Sequence, residues 1–171
     1  GLWGKGNGSV PFNMYEESIG VPMVWRHPGR IDAGHLESRM VSHYDFMPTL
    51  LDYLGIRHRP QGFRAGESYA PVLRGQEMKR RDRLFFEYGP VRAVRTQTRK
   101  LIRRATGENE LFDLAADPGE TTNGWSEAGM GRGVQAELDS SMAGFFKRAG
   151  APPLAEWEKT VRQKLTVYKR P

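Results

Sequence analysis

The sequence contains no cysteine. That excludes a disulfide framework, a thiolate metal site and a cysteine nucleophile within these 171 residues. Long apolar runs are missing too: no stretch approaches the roughly 18 apolar residues of a membrane span, and residues 1 to 20 lack the charged start and apolar core of a signal peptide. No membrane partner is therefore expected, and the compartment stays open, since a leader preceding Gly1 is compatible with this reading. Histidine is scarce. The four, His27, His35, His43 and His58, are spaced 8, 8 and 15 residues apart, which matches no compact zinc motif. No metal site is expected in the chain.

What the chain does have is enough apolar and aromatic side chain for a core: 38% hydrophobic residues, with four Trp, eight Phe and six Tyr. A disordered chain would be poorer in all three. Twenty Gly and 11 Pro promise a loop-rich fold. The net charge of +6 is concentrated, because ten of the 26 Lys and Arg fall between Lys79 and Arg104, against Asp82 and Glu87. Such a run is either a solvated basic face or a field that attracts an anion. It lacks the interleaved aromatics of an RNA-recognition sheet, so nucleic acid is not the expected partner.

Along the chain, a glycine-rich loop leads into "VPMVW" (residues 21–25), an apolar run that reads as a buried parallel strand, and a second short strand is expected at Met40–Ser42. A helix is predicted over Phe46–Leu54, capped by Asp45 and stopped by Gly55, with Phe46, Leu50, Leu51 and Leu54 as its buried stripe. "SYAPVLRG" reads as a helical turn. From Leu84 to Leu114, short apolar segments separated by Gly-Pro, Gln-Thr and Thr-Gly turns predict an antiparallel meander of three or four strands. "GVQAELDSSMAGFFKRAG" predicts an amphipathic helix with Val134, Leu138, Met142 and Phe145/Phe146 on one face, and residues 151–171 a tail packed over the surface. This order belongs to the end of an α/β protein with a smaller second subdomain: the α/β part over 1–80, the small sheet and helix over 81–150, and the tail.

"GLWGKGNG" places Lys5 among four glycines. It is not a P-loop, because Gly6 rather than Ser or Thr follows the lysine, and no strand-to-helix context makes it a dinucleotide fingerprint. Two readings remain: a compact charge held near an oxyanion by a close backbone, or an exposed loop. His43 in "VSHYD" sits where a strand hands over to a helix, a place where ligand groups gather. Of Glu16 and Glu17, adjacent residues that point apart, one is expected to anchor a loop and the other to be solvated.

Taken in order, "GLWGKGN", "NMYEESIGVPMV", "VSHYDFMPTLLDYLGI", "SYAPVLRG" and "ELFDLAADPGETTN" resemble the C-terminal part of the sulfatases of the alkaline phosphatase superfamily, over about residues 1 to 125. The resemblance implies the end of an alkaline-phosphatase-like α/β domain followed by a small antiparallel four-stranded sheet with a C-terminal helix. It implies that Lys5 matches the lysine binding a sulfate oxygen, and that Asp45 is structural. Tyr15 and Glu16 lie in the matching segment and are expected to shape the loop. Sulfatases hydrolyse sulfate monoesters of small molecules or glycans with a formylglycine nucleophile and Ca²⁺. The motif for the first and the ligands for the second are absent here, so the chain alone is expected to be inactive, to hold no calcium, and to need upstream residues. Two rivals stand beside this: a phosphonate or phosphate monoester hydrolase of the same superfamily, and a catalytically dead basic binding module.

Overall fold

The computed structural model describes residues 13–57, 61–125 and 132–168, with side chains through Leu165. They form two compact units, one of residues 13–21 with 85–168 and the other of residues 22–84.

The first unit is built on one sheet of order β1-β2-β3-β4: Leu84–Tyr88, Val91–Arg95, Arg99–Arg104 and Glu110–Asp113. The meander is as predicted, and its turns fall on the predicted residues. Gly89 and Gly107 take φ of +55° and +96° in the first and third hairpins, a region open to glycine at no steric cost. The antiparallel register pairs Arg95 with Lys100 and Ala93 with Ile102 across β2 and β3, and Lys100 with Phe112 across β3 and β4. Directly opposed residues share a face. One face therefore carries Val91, Ala93, Ile102 and Phe112, which pack with Met14, Leu114, Tyr15 and Ile19. The short helix α1 (Glu16–Ile19) lies in that packed segment.

The opposite face carries Val94, Leu101 and Leu111 against Leu138, Met142 and Phe146 of α4 (Arg132–Arg148). Those three helix residues recur every fourth position, which stacks them on one side of the helix and makes the predicted amphipathic face the packed one. Each such burial contributes about 1.5–3 kcal/mol. Where a surface tail was expected, the chain forms α5 (Leu154–Tyr168). Trp157 is buried beside the Arg92 guanidinium, which lies 4.6 Å from its ring and 4.1 Å from that of Phe146. Arg162 also donates through Nε to the Ala105 carbonyl.

In the second unit, α2 (Phe46–Tyr53) and α3 (Ala70–Leu73) occupy their predicted places, and Gly55 follows α2 with φ +70°. Three expectations are corrected. Residues 21–25 and 40–42 are not strands; a strand exists only beside a hydrogen-bonded neighbour, and among the described residues the four-stranded sheet is the one sheet. Asp45 does not cap α2. It closes a 3₁₀ turn (His43–Asp45), and its carboxylate accepts instead from the Ser42 amide. The predicted stripe of α2 is covered only in part: Leu50 and Leu51 are half-buried, Phe46 and Leu54 are 42% and 58% exposed, and Thr49 is the buried residue. A unit this short cannot cover every apolar face. Thr49 Oγ1 accepts from the Tyr69 amide at 3.1 Å, which ties α2 to the start of α3.

Candidate functional site

Among the described residues, the most elaborate polar arrangement forms where residues 13–20 cross the sheet. Lys100 stands on β3 with its side chain 0% exposed. An unpaired charge there would be very costly, so it must find partners. Its Nζ donates to the Met14 carbonyl at 2.9 Å and lies 2.7 Å from both Glu16 Oε1 and Glu120 Oε1. Glu120 Oε2 accepts from the Glu16 amide at 2.7 Å. Arg95, the cross-strand neighbour of Lys100, donates to the same Glu16 oxygen at 2.8 Å. Glu120 ends the "DPGE" turn with φ +53°, an uncommon conformation for a residue bearing a side chain. Its backbone strain is maintained by the contacts its carboxylate makes.

Burial alone would push the Glu16 carboxyl up, but the hydrogen bonds and charges of Arg95 and Lys100 outweigh it and hold the group below its ordinary value. Tyr15 goes the other way. Burial first, then the Glu110 carboxylate that accepts its hydroxyl at 2.5 Å, push the phenol up to about 12. Arg104 donates to the second Glu110 oxygen at 2.8 Å. Glu17 is exposed, so the two adjacent glutamates divide into one anchor and one solvated charge as expected.

A second polar cluster lies in the other unit. Asp45 is buried, receives both Arg81 terminal nitrogens at 2.7 and 2.8 Å, and accepts the Glu67 amide at 2.8 Å. This fork-to-fork geometry locks the 3₁₀ turn to the following loop. Its role is structural, as the resemblance implied.

Of the two predicted site residues, only His43 falls among the described residues. Lys5 lies outside the described residues, as does His58. His43 is exposed on the 3₁₀ turn, and His27 Nδ1 sits 2.8 Å from the Tyr53 hydroxyl. Among the described residues, no group of three or more His, Asp or Glu side chains could hold a metal ion. The described side chains therefore do not fit a calcium site, and no step is assigned to one.

The basic run also reads differently in three dimensions. Arg99 meets Asp113 at 2.5 Å, Arg92 meets Glu87 at 2.5 Å, and Arg103 stacks over Trp125 with Asp139 3.6 Å away. With Arg95, Lys100 and Arg104 already paired, much of this charge is turned inward rather than offered to a polyanion. Sequence reasoning missed this, because nothing local in "RKLIRR" indicates which carboxylates will face it. No helix among the described residues is long and apolar enough to cross a membrane.

The profile of the family described as N-sulphoglucosamine sulphohydrolase, C-terminal, matches residues 12–147. An N-acetylglucosamine-6-O-sulfatase of Bacteroides thetaiotaomicron is 33% identical over 129 residues, 67% of this chain and 23% of that protein. A protein solved in complex with its substrate D-glucosamine-2-N,6-O-disulfate superposes with a TM-score of 0.61 at 28% identity, over 72% of this chain and 27% of its own. The phosphonate monoester hydrolase of Agrobacterium radiobacter superposes at 0.53 with 28% identity, over 64% and 26% respectively. The chain thus spans about a quarter of the length of the proteins it matches.

Proposed function

Since the chain belongs to the sulfatase family, as its C-terminal portion, we propose that it forms part of a hydrolase of sulfated glucosamine residues in which Lys5 binds a sulfate oxygen. The family match over residues 12–147 supports the hydrolase class, and the role of Lys5 rests on the resemblance of "GLWGKGN" to the sulfatases. The substrate class follows two of the proteins it resembles, one by its name and one by its bound ligand, which carry sulfate on glucosamine.

The reaction breaks the ester S–O bond, and negative charge grows on the bridging oxygen as it leaves with the electron pair of that bond. A lysine ammonium, here flanked in the sequence by Gly4 and Gly6, stabilises that charge in the transition state more than in the ground state. The nucleophile and a divalent cation supply the bond-making chemistry in this family. We assign both to residues outside these 171, since the chain has no cysteine and Glu16, Glu110 and Glu120 are engaged with Lys and Arg. His43, exposed at its turn, is a secondary candidate for contact with the sugar.

The test has two arms. Incubated alone with an aryl sulfate and Ca²⁺, the chain gives no turnover above a Lys5→Ala control; turnover above it would overturn the assignment of the nucleophile elsewhere. In the hydrolase containing this chain and its nucleophile, Lys5→Ala lowers kcat by about 10²–10³, the effect of removing one charge-stabilising donor. An unchanged kcat would remove Lys5 from the mechanism.

A second reading, phosphonate monoester hydrolysis, has the likeness to the Agrobacterium enzyme in its favour. Relative kcat/KM for a sulfate and a phosphonate monoester separates the two. A basic binding module is disfavoured, because the charges it would use are paired within the fold.

A further inference from the structure

Helix α2 is packed on the side opposite to the one its sequence prepares. At 3.6 residues per turn, Phe46, Leu50, Leu54, Met47 and Leu51 fall within one arc of about 140°, the kind of stripe that a globular helix turns toward a core. Yet the residue that faces inward is Thr49, which is buried and accepts the Tyr69 amide at 3.1 Å. Met47 and Leu54 stand about 140–160° around the helix from Thr49, and they are 56% and 58% exposed. Phe46, at the edge of the stripe, stacks on Trp25 with ring centroids 5.4 Å apart and still keeps 42% of its surface in water. Beside that tryptophan, Val24 is 84% exposed, in an apolar run that no described strand pairs.

Single exposed apolar residues need no account, but a continuous apolar stripe along one helix marks a surface that another piece of protein covers. Two observations place that cover in the same polypeptide. The chain spans 23% of the Bacteroides 6-O-sulfatase and 27% of the protein solved with D-glucosamine-2-N,6-O-disulfate, so most of each lies beyond the matched part. A cover joined to α2 by the chain itself also docks without losing the translational and rotational freedom that a second copy would lose.

We propose that the apolar stripe of α2, centred on Met47 and Leu54, is the surface on which the rest of the hydrolase, the part outside these 171 residues, docks through an apolar face of its own. This rests on the reading of the chain as one portion of a longer hydrolase, and it needs no role for Lys5. Docking there buries the stripe and fixes the second unit against the part of the protein to which the nucleophile and the cation are assigned. A flexible methionine near its centre suits a surface that must fit a partner face.

Peroxide oxidation of methionine reads the exposure of a single side chain. In the 171-residue chain Met47 is oxidised at a rate near that of free methionine, while Met142, buried on the packed face of α4, is slow. In the complete hydrolase Met47 slows at least about tenfold and approaches Met142. Equal rates for Met47 in the two proteins overturn the proposal. So does protection in the 171-residue chain that grows with its concentration, which assigns the face to a second copy. Should the 171-residue chain not fold alone, the complete hydrolase decides: Met47 as slow as Met142 supports the docking face, and Met47 near free methionine overturns it. The double variant Met47→Gln, Leu54→Gln leaves the denaturation midpoint of the 171-residue chain unchanged and lowers that of the complete hydrolase; an unchanged midpoint in both likewise overturns it. If the complete protein cleaves no sulfate ester, the reading of its substrate fails, and the oxidation rates still judge the docking face on their own.

Discussion

Lys100 Nζ and Glu120 Oε1 meet at 2.7 Å in a place where both side chains are cut off from water, 0% and 1% exposed. The pair joins the start of β3 to a turn past the end of β4, and Glu16 joins it from far earlier in the chain. Because Arg95 also reaches Glu16, two cations face two carboxylates. The cluster is neutral as a whole, which is what allows it to be buried.

The acid and alkaline limbs of stability follow from this cluster and its neighbour. Glu16 is held below its ordinary value of 4.5, so its contribution is present above that value and is lost as the pH falls through its lower folded one. Tyr15, raised from 10.0 to about 12, works in the opposite sense: its contribution is complete below 10.0 and is lost as the pH rises through about 12. Urea denaturation across pH shows a shallower acid limb for Glu16→Gln and a shallower alkaline limb for Tyr15→Phe. Parallel curves for wild type and variant would contradict the assignment.

The Arg92 guanidinium between Phe146 and Trp157 makes α5 an integral part of its unit. Trp157→Ala costs about 3–5 kcal/mol, the usual range for deleting a buried tryptophan, and helical ellipticity falls as α5 loses its anchor. Arg92→Lys does not substitute, since an ammonium has no planar face to stack on two rings. Full retention of stability in either variant would mean that α5 is held by other contacts.

Gly66 is required for space rather than for conformation. A Cβ there would stand 1.9 Å from the Tyr44 carbonyl oxygen and 3.1 Å from the Asp45 amide nitrogen, backbone atoms that the Asp45–Arg81 fork prevents from moving. Gly66→Ala therefore destabilises the second unit by at least ~3 kcal/mol, visible as a shift in Trp25 fluorescence at lower denaturant. Gly133, near the start of α4 with nothing within 4 Å of its would-be Cβ, takes alanine without loss. Equal stability of the two variants would refute the steric account.

Much of the first unit was legible in its residues. Hairpins fall where Gly89-Pro90 and Gly107 interrupt apolar runs, and α4 buries Leu138, Met142 and Phe146, as their spacing requires. These are local matters of backbone freedom and periodicity. The two runs read as strands, residues 21–25 and 40–42, could not be judged that way, because an apolar run becomes a strand only when another strand lies beside it. The α2 stripe failed for a related reason: periodicity marks a face that can be buried, while burial depends on what covers it.

Sequence alone determined the family, the meander and the long amphipathic helix, since each depends on residues close together in the chain or on their order. Tertiary structure alone decided what the charges do. Lys100 and Met14 are 86 positions apart, and Glu16 and Glu120 104; no local pattern connects them. Coulombic and hydrogen-bonding partners are chosen by proximity in space, and burial makes that choice matter. Three cations of a run that looked like a solvated basic face, Arg95, Lys100 and Arg104, thus become, once folded, part of what holds residues 14–16 in place.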